Sequence, residues 1–160
     1  MTDPKIYVPN RYALVAGSGD ADSGLNAFDR ALQVAEGGQF NLVKVTSILP
    51  PAAIAGDHSR LPAGGIVFAA MGTEVSTKPG LHISASVAVG IPKDFAQAGV
   101  IMEGHFHCPA PEAEAKVRKM AEEALKDRNL EILRIESIAA DHIVETAGSV
   151  VAAVLLWREE

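Results

Sequence analysis

The chain is predicted to fold as α+β, because strand-like runs outnumber two helix-like segments and no regular βαβ alternation appears. Aromatic residues make up only 5% of the sequence while Ala, Val, Ile and Gly abound. Small and β-branched side chains suit closely packed sheets, so helices are expected to layer on mostly antiparallel strands. With 160 residues and 48% hydrophobic content, one domain spanning 1–160 can bury a real core.

Residues 12–16 read as a strand ending in Gly17-Ser18-Gly19-Asp20-Ala21-Asp22-Ser23-Gly24, a loop by composition. A helix follows, with Leu25, Phe28, Leu32 and Ala35 at helical spacing and Gly37-Gly38 as the stop. Residues 40–49 read as one strand, a β-branched and apolar run halted by Pro50-Pro51, and 50–65 is a Gly- and Pro-punctuated loop. Residues 66–75 and 81–89 flank Thr77-Lys78-Pro79-Gly80 and predict a hairpin, the second arm alternating apolar with small or polar residues. Residues 100–102 start another buried strand that runs into Glu103. Pro111 opens an amphipathic helix with Ala113, Val117, Met120, Ala121 and Ala124 as its stripe. Its outward pairs are Glu112 with Lys116, Glu114 with Arg118, and Glu122 with Lys126. Strands over 131–144 and 150–157 close the chain around Thr146-Ala147-Gly148-Ser149.

A net charge of −6 argues against nucleic acid or an anionic membrane as partner, since both require clustered positive charge. The single cysteine, Cys108, excludes an internal disulfide and fits a reducing compartment. Residues 1–10, with Asp3, Pro4 and Lys5, carry no apolar leader core, and no apolar run approaches the roughly 18 residues of a membrane span. A cytoplasmic protein is expected.

The loop at 17–24 puts Asp where a dinucleotide fingerprint needs its third glycine, and no Lys-Ser or Lys-Thr pair completes a P-loop. His105, His107 and Cys108 invite a transition-metal reading, but no second Cys or His cluster completes four ligands, so no metal is expected. His58, His82 and His142 are scattered and form no triad pattern. Glu103 follows Val100-Ile101-Met102, and partial desolvation there would favour the protonated carboxyl that a general acid requires. An exposed strand-end acid is its ordinary alternative. Asp29 borders the apolar stripe of its helix, where it suits either a cation at a pocket rim or a plain surface acid.

Asn41-Leu42-Val43-Lys44-Val45-Thr46-Ser47-Ile48-Leu49-Pro50-Pro51, together with Leu25 to Asp29 and Ile101-Met102-Glu103, resembles the pyruvoyl-dependent arginine decarboxylases in order and along nearly the whole chain. The resemblance implies a four-layer αββα sandwich, assembled as a homotrimer or a hexamer of paired trimers with active sites between subunits. It implies that Ser47 Oγ attacks the Thr46 carbonyl and that the ester then eliminates. The resulting pieces are a β chain, 1–46, and an α chain, 47–160, headed by a covalent pyruvoyl group. That group replaces pyridoxal phosphate, and its ketone would form a Schiff base with L-arginine on the way to agmatine and CO2. By the same resemblance Asn41 supports cleavage, Glu103 returns the proton to Cα, Asp29 takes the guanidinium, and Leu32 and Phe40 line the aliphatic part of the pocket. Decarboxylation of another amino acid, and an unprocessed homologue that only binds or assembles, are the alternatives.

Overall fold

The computed structural model describes residues 5–160. Asp3 and Pro4 of the N-terminal reading lie outside the described residues. Nine strands and two α-helices follow the order β1 (Arg11–Ala21), α1 (Gly24–Val34), β2 (Asn41–Lys44), β3 (Ile48–Leu49), β4 (Ile54–Ala55), β5 (Ile66–Ser76), β6 (His82–Pro92), β7 (Gly99–Phe106), α2 (Ala110–Asp127), β8 (Ile132–Ile143) and β9 (Ala147–Trp157). A five-stranded sheet runs β2-β5-β9-β1-β4 and a four-stranded sheet β3-β7-β6-β8. All pairings are antiparallel except those of the short edge strands β2 with β5 and β4 with β1.

The expected layers are present. Alternate residues of β1 and β9 serve two cores, as the period of two requires. Tyr12, Val150, Ala152 and Val154 meet Ile83, Val87, Val89 and Ile101 between the sheets. Ala13, Val15, Val151 and Leu155 instead meet Ala31 of α1 and Ala35 at its C-terminal cap on the outer face. On the other side, Ala88 and Val100 pack with Val117, Ala121 and Leu125 of α2. The result is helix, sheet, sheet, helix.

Several local expectations change. The strand over 12–16 extends to Ala21, so the first half of the expected loop is sheet. Its glycines serve close packing: a Cβ on Gly17 would stand 2.3 Å from Ala31 O, and one on Gly19 2.8 Å from Arg30 Cβ. The buried face of α1 is Ala27 and Ala31, while Leu25 is 79% exposed. In α2, Leu125 is buried and Met120 is turned outward. Of the outward pairs, Glu112 with Lys116 and Glu122 with Lys126 form at 3.5 and 4.0 Å. Ser137 instead bridges Glu114 and Arg118 at 2.6 and 2.8 Å.

The expected hairpin is absent, because β5 and β6 belong to different sheets. Both faces of β6 are buried, one by the opposing sheet and one by α2. Residues 77–81 therefore turn a corner between layers. That corner is tied to the neighbouring one by Gly80 N–H to Val144 O at 2.8 Å and Val144 N–H to Leu81 O at 2.9 Å. Strands β8 and β9 likewise change sheets across 144–146. Among the described residues, no helix is long and apolar enough to cross a membrane.

Candidate active site

The run expected as one strand over 40–49 is two, and the break between them is the site. Strand β2 lies at the edge of the five-stranded sheet, where Val45 N–H extends its pairing by donating to Ala69 O at 3.0 Å. Strand β3 lies at the edge of the four-stranded sheet, where Ser47 O accepts from Ile101 N–H at 2.9 Å. Thr46 makes the crossing. Ile48 N–H donates back to Thr46 O at 2.9 Å, closing a three-residue turn around Ser47. β-branched residues fill both halves, so propensity alone cannot reveal the change of sheet.

Ser47 Oγ donates to the Glu103 carboxylate, 2.9 Å from Oε1 and 2.8 Å from Oε2. Glu103 shares a face of β7 with Ile101, which is buried between the sheets. Its carboxylate therefore sits at the end of the inter-sheet core, half-buried like Ser47. A close approach of backbones keeps β7 there: a Cβ on Gly72 of β5 would lie 2.5 Å from Gly104 O. On the other side of the turn, Thr46, Val45 and Ile48 line an apolar cleft of about 350 Å³ with Tyr7, Pro9, Phe68 and Leu156. Tyr7 packs against the Phe68 ring at 5.3 Å.

The remaining expected residues do not join this pair within one chain. Asp29 is exposed on α1, where Gln33 Nε2 donates to its Oδ2 at 2.6 Å. Leu32 and Phe40 pack against the core between α1 and the five-stranded sheet. Asn41 opens β2 and donates from Nδ2 to Gly64 O at 2.9 Å. Sequence reading missed the Ile48 and Ile101 amides, which carry no side-chain signature.

The other candidates resolve into structural contacts. Exposed His105 and His107 both face the Glu74 carboxylate, at 3.2 and 2.7 Å, while buried Cys108 turns toward Ser84 at 3.7 Å. Among the described residues, no group of three or more His, Cys, Asp and Glu is arranged to hold a metal ion. His58 lies 3.5 Å from Glu36, and His82 lies 2.9 Å from Asp141. Asp20 anchors the corner after β8, accepting from Glu145 N–H at 2.9 Å and Thr146 N–H at 3.0 Å, with His142 Nε2 at 2.8 Å. Burial opposes its charge, but the hydrogen bonds from Glu145, His142 and Thr146 prevail and hold the carboxyl down to about 2. Tyr12 is nearly fully buried, and burial with the Glu136 carboxylate beside it pushes its phenol up to about 12.

The chain is thus an αββα sandwich in which a serine hydroxyl is held on a carboxylate beside the point where the chain crosses between its sheets. The family model of pyruvoyl-dependent arginine decarboxylase matches residues 11–160, and the chain belongs to that family. It is 45% identical over 150 residues to the pyruvoyl-dependent arginine decarboxylase of Methanocaldococcus jannaschii, covering 94% of this chain and 91% of the relative. The enzyme of the same name from Methanococcus vannielii is 42% identical over 152 residues, covering 95% and 93%. That of Pyrococcus abyssi is 33% identical over 152 residues, covering 93% and 96%. The residues at the crossing fit the making of a pyruvoyl group, because Ser47 has the β-oxygen that elimination needs and its hydroxyl already contacts a carboxylate.

Proposed function

We propose that this protein cuts its own chain between Thr46 and Ser47, converts Ser47 to a covalent pyruvoyl group and decarboxylates L-arginine to agmatine in the cytoplasm. The observation that carries this reading is the meeting of Ser47 with Glu103, 56 residues apart, in a chain of the pyruvoyl-dependent arginine decarboxylase family. The pyruvoyl carbonyl supplies the electron sink for loss of CO2. Glu103, hydrogen-bonded to the Ser47 side chain in the uncleaved protein, would deliver the proton to substrate Cα. The half-buried end of the inter-sheet core limits water around the leaving carboxylate.

Cleavage leaves one folded unit. Strand β1 of the 1–46 piece is registered with β9 of the 47–160 piece along its whole length, and α1 packs across both. Asp29, Leu32 and Phe40 complete the substrate site from a neighbouring copy, in a homotrimer or a hexamer of paired trimers, and Asn41 supports the cleavage. In support, Asp29 and Asn41 are exposed in the single chain, as are Val43, Ile48 and Ile66 around the edges of β2 and β3. A fixed carboxylate matches the planar guanidinium in two-point contact better than a lysine ammonium, which favours arginine.

Intact mass and CO2 release test the reading together. The expected result is two chains split after Thr46, the longer one blocked by a carbonyl, with arginine turned over faster than lysine, histidine or aspartate. Ser47→Ala has no leaving oxygen and is expected to remain whole and inactive. A pyruvoyl chain in that variant, or equal turnover of all four amino acids, refutes the reading.

A further inference from the structure

Loss of CO2 from arginine leaves agmatine with one hydrogen more on Cα, so each turnover consumes one proton. Glu103 supplies it and must then be protonated again from solvent. Hydronium at pH 7 is near about 10⁻⁷ M, and capture at about 10⁹ to 10¹⁰ M⁻¹s⁻¹ reaches a fully open carboxylate only about 10² to 10³ times per second. That is within the ordinary range of enzyme turnover, and Glu103 is half-buried at the end of the inter-sheet core. An imidazole at the surface lifts this limit by taking protons from buffer acids, which are far more abundant than hydronium.

The face of β7 that carries Glu103 continues to His105. Glu103 pairs with Val87 of β6 and His105 with Ala85, and both of these partners lie in the inter-sheet core. Residues two apart on a strand share a face and stand about 7 Å apart. Across from them, Glu74 follows Ala70 and Gly72 on the inner face of β5. Its carboxylate holds both neighbouring rings, His105 Nδ1 at 3.2 Å from Oε2 and His107 Nε2 at 2.7 Å from Oε1. The Glu74 side chain is only 16% exposed, whereas the two imidazoles are 60% and 55% exposed. The trio therefore meets solvent on one side and adjoins Glu103 on the other. Nearby titratable groups are engaged elsewhere: His82 with Asp141, His142 with Asp20, and Lys116 of α2 over the Phe106 ring.

We propose that His105, held by Glu74 together with His107, is the proton shuttle that restores Glu103 to its acid form after each turnover; this rests on the reading that Glu103 protonates substrate Cα. The His105 imidazolium gives its proton to a bridging water as that water gives one to the Glu103 carboxylate. The neutral imidazole then takes a proton from a buffer acid, directly or by way of His107 and Glu74. Only a proton moves, and the net transfer is from buffer to Glu103. Glu74, an acceptor when ionised, sets the orientation of both rings. All four residues belong to the 47–160 piece, so cleavage leaves the relay whole.

The test follows CO2 release by the cleaved assembly at pH 8, where hydronium is scarcer, as imidazole buffer is raised at constant ionic strength. Wild-type kcat should hardly depend on buffer. His105→Gln, with intact mass confirming the split after Thr46, should lose about tenfold or more in kcat at low buffer, less than a missing general acid would cost because Glu103 remains. Added imidazole should restore it. Because CO2 leaves before Glu103 is reprotonated, kcat/KM should stay at the wild-type value and KM should fall with kcat. Glu74→Gln keeps both imidazoles but weakens their hold, so it should show a smaller loss with the same recovery, and it provides the measurement if His105→Gln does not fold. A structural defect would lower kcat equally at every buffer concentration. Such a buffer-independent loss overturns the proposal, as does wild-type kcat at low buffer in both variants. Wild-type protein that is cut after Thr46 but releases no CO2 from arginine overturns the underlying reading instead.

Discussion

Gly72→Ala tests whether the contact between β5 and β7 holds Glu103 in place. The added Cβ would lie 2.5 Å from Gly104 O and 3.0 Å from both Gly104 C and N, whereas ordinary contact begins at 3.4 Å. The strands must open by about 0.9 Å, and the atoms that must yield are backbone. Strand β7 is held by β6 along most of its length and by β3 at its start, so the strain is expected to cost about 1 to 3 kcal/mol. For a chain of this size that lowers Tm by about 2 to 12 °C. Gly104 adjoins Glu103, and a displacement of this size carries its carboxylate from 2.8 Å toward the edge of hydrogen-bond reach of Ser47. Cleavage should then slow by about tenfold, equivalent to 1.4 kcal/mol of barrier. Thermal melting measures the first effect, and cell-free synthesis with a radiolabel pulse and chase, read on a denaturing gel, measures the second. Wild-type Tm together with wild-type cleavage shows that the sheets can separate freely at this point and refutes the argument.

Asp29→Asn keeps size and removes charge, so cleavage should proceed normally while KM for arginine rises by about 30-fold or more, the 2 kcal/mol scale for deleting one partner of a charged pair. Steady-state kinetics on fully cleaved protein decide it, and an unchanged kcat/KM makes Asp29 an ordinary helix residue. Asp20 has a depressed pKa, so the unfolded chain takes up its proton first and stability falls with added acid between about 3.8 and about 2. Urea unfolding across that range should show a shallower acid dependence for Asp20→Asn, and an unchanged slope removes the corner from the stability argument.

What was legible in the sequence was whatever depends on near neighbours or on a shared family pattern. The two helices, the strand-rich composition and the Pro50-Pro51 stop follow from local spacing and backbone chemistry. Ser47 and Glu103 stood out through the resemblance. The tertiary structure decided which strands share a sheet, because a corner between layers and a hairpin use the same turn residues at 77–80. It also decided which face of α1 is buried: alanines permit the helix to lie against Gly17 and Gly19, so the larger Leu25 is left outside. The chain crossing at Thr46 was hidden for the same reason, since β-branched residues suit either sheet and only distant partners, Ala69 on one side and Ile101 on the other, determine where the strand divides. Local sequence sets the conformations a segment favours, while burial on both faces and pairing with remote strands select among them.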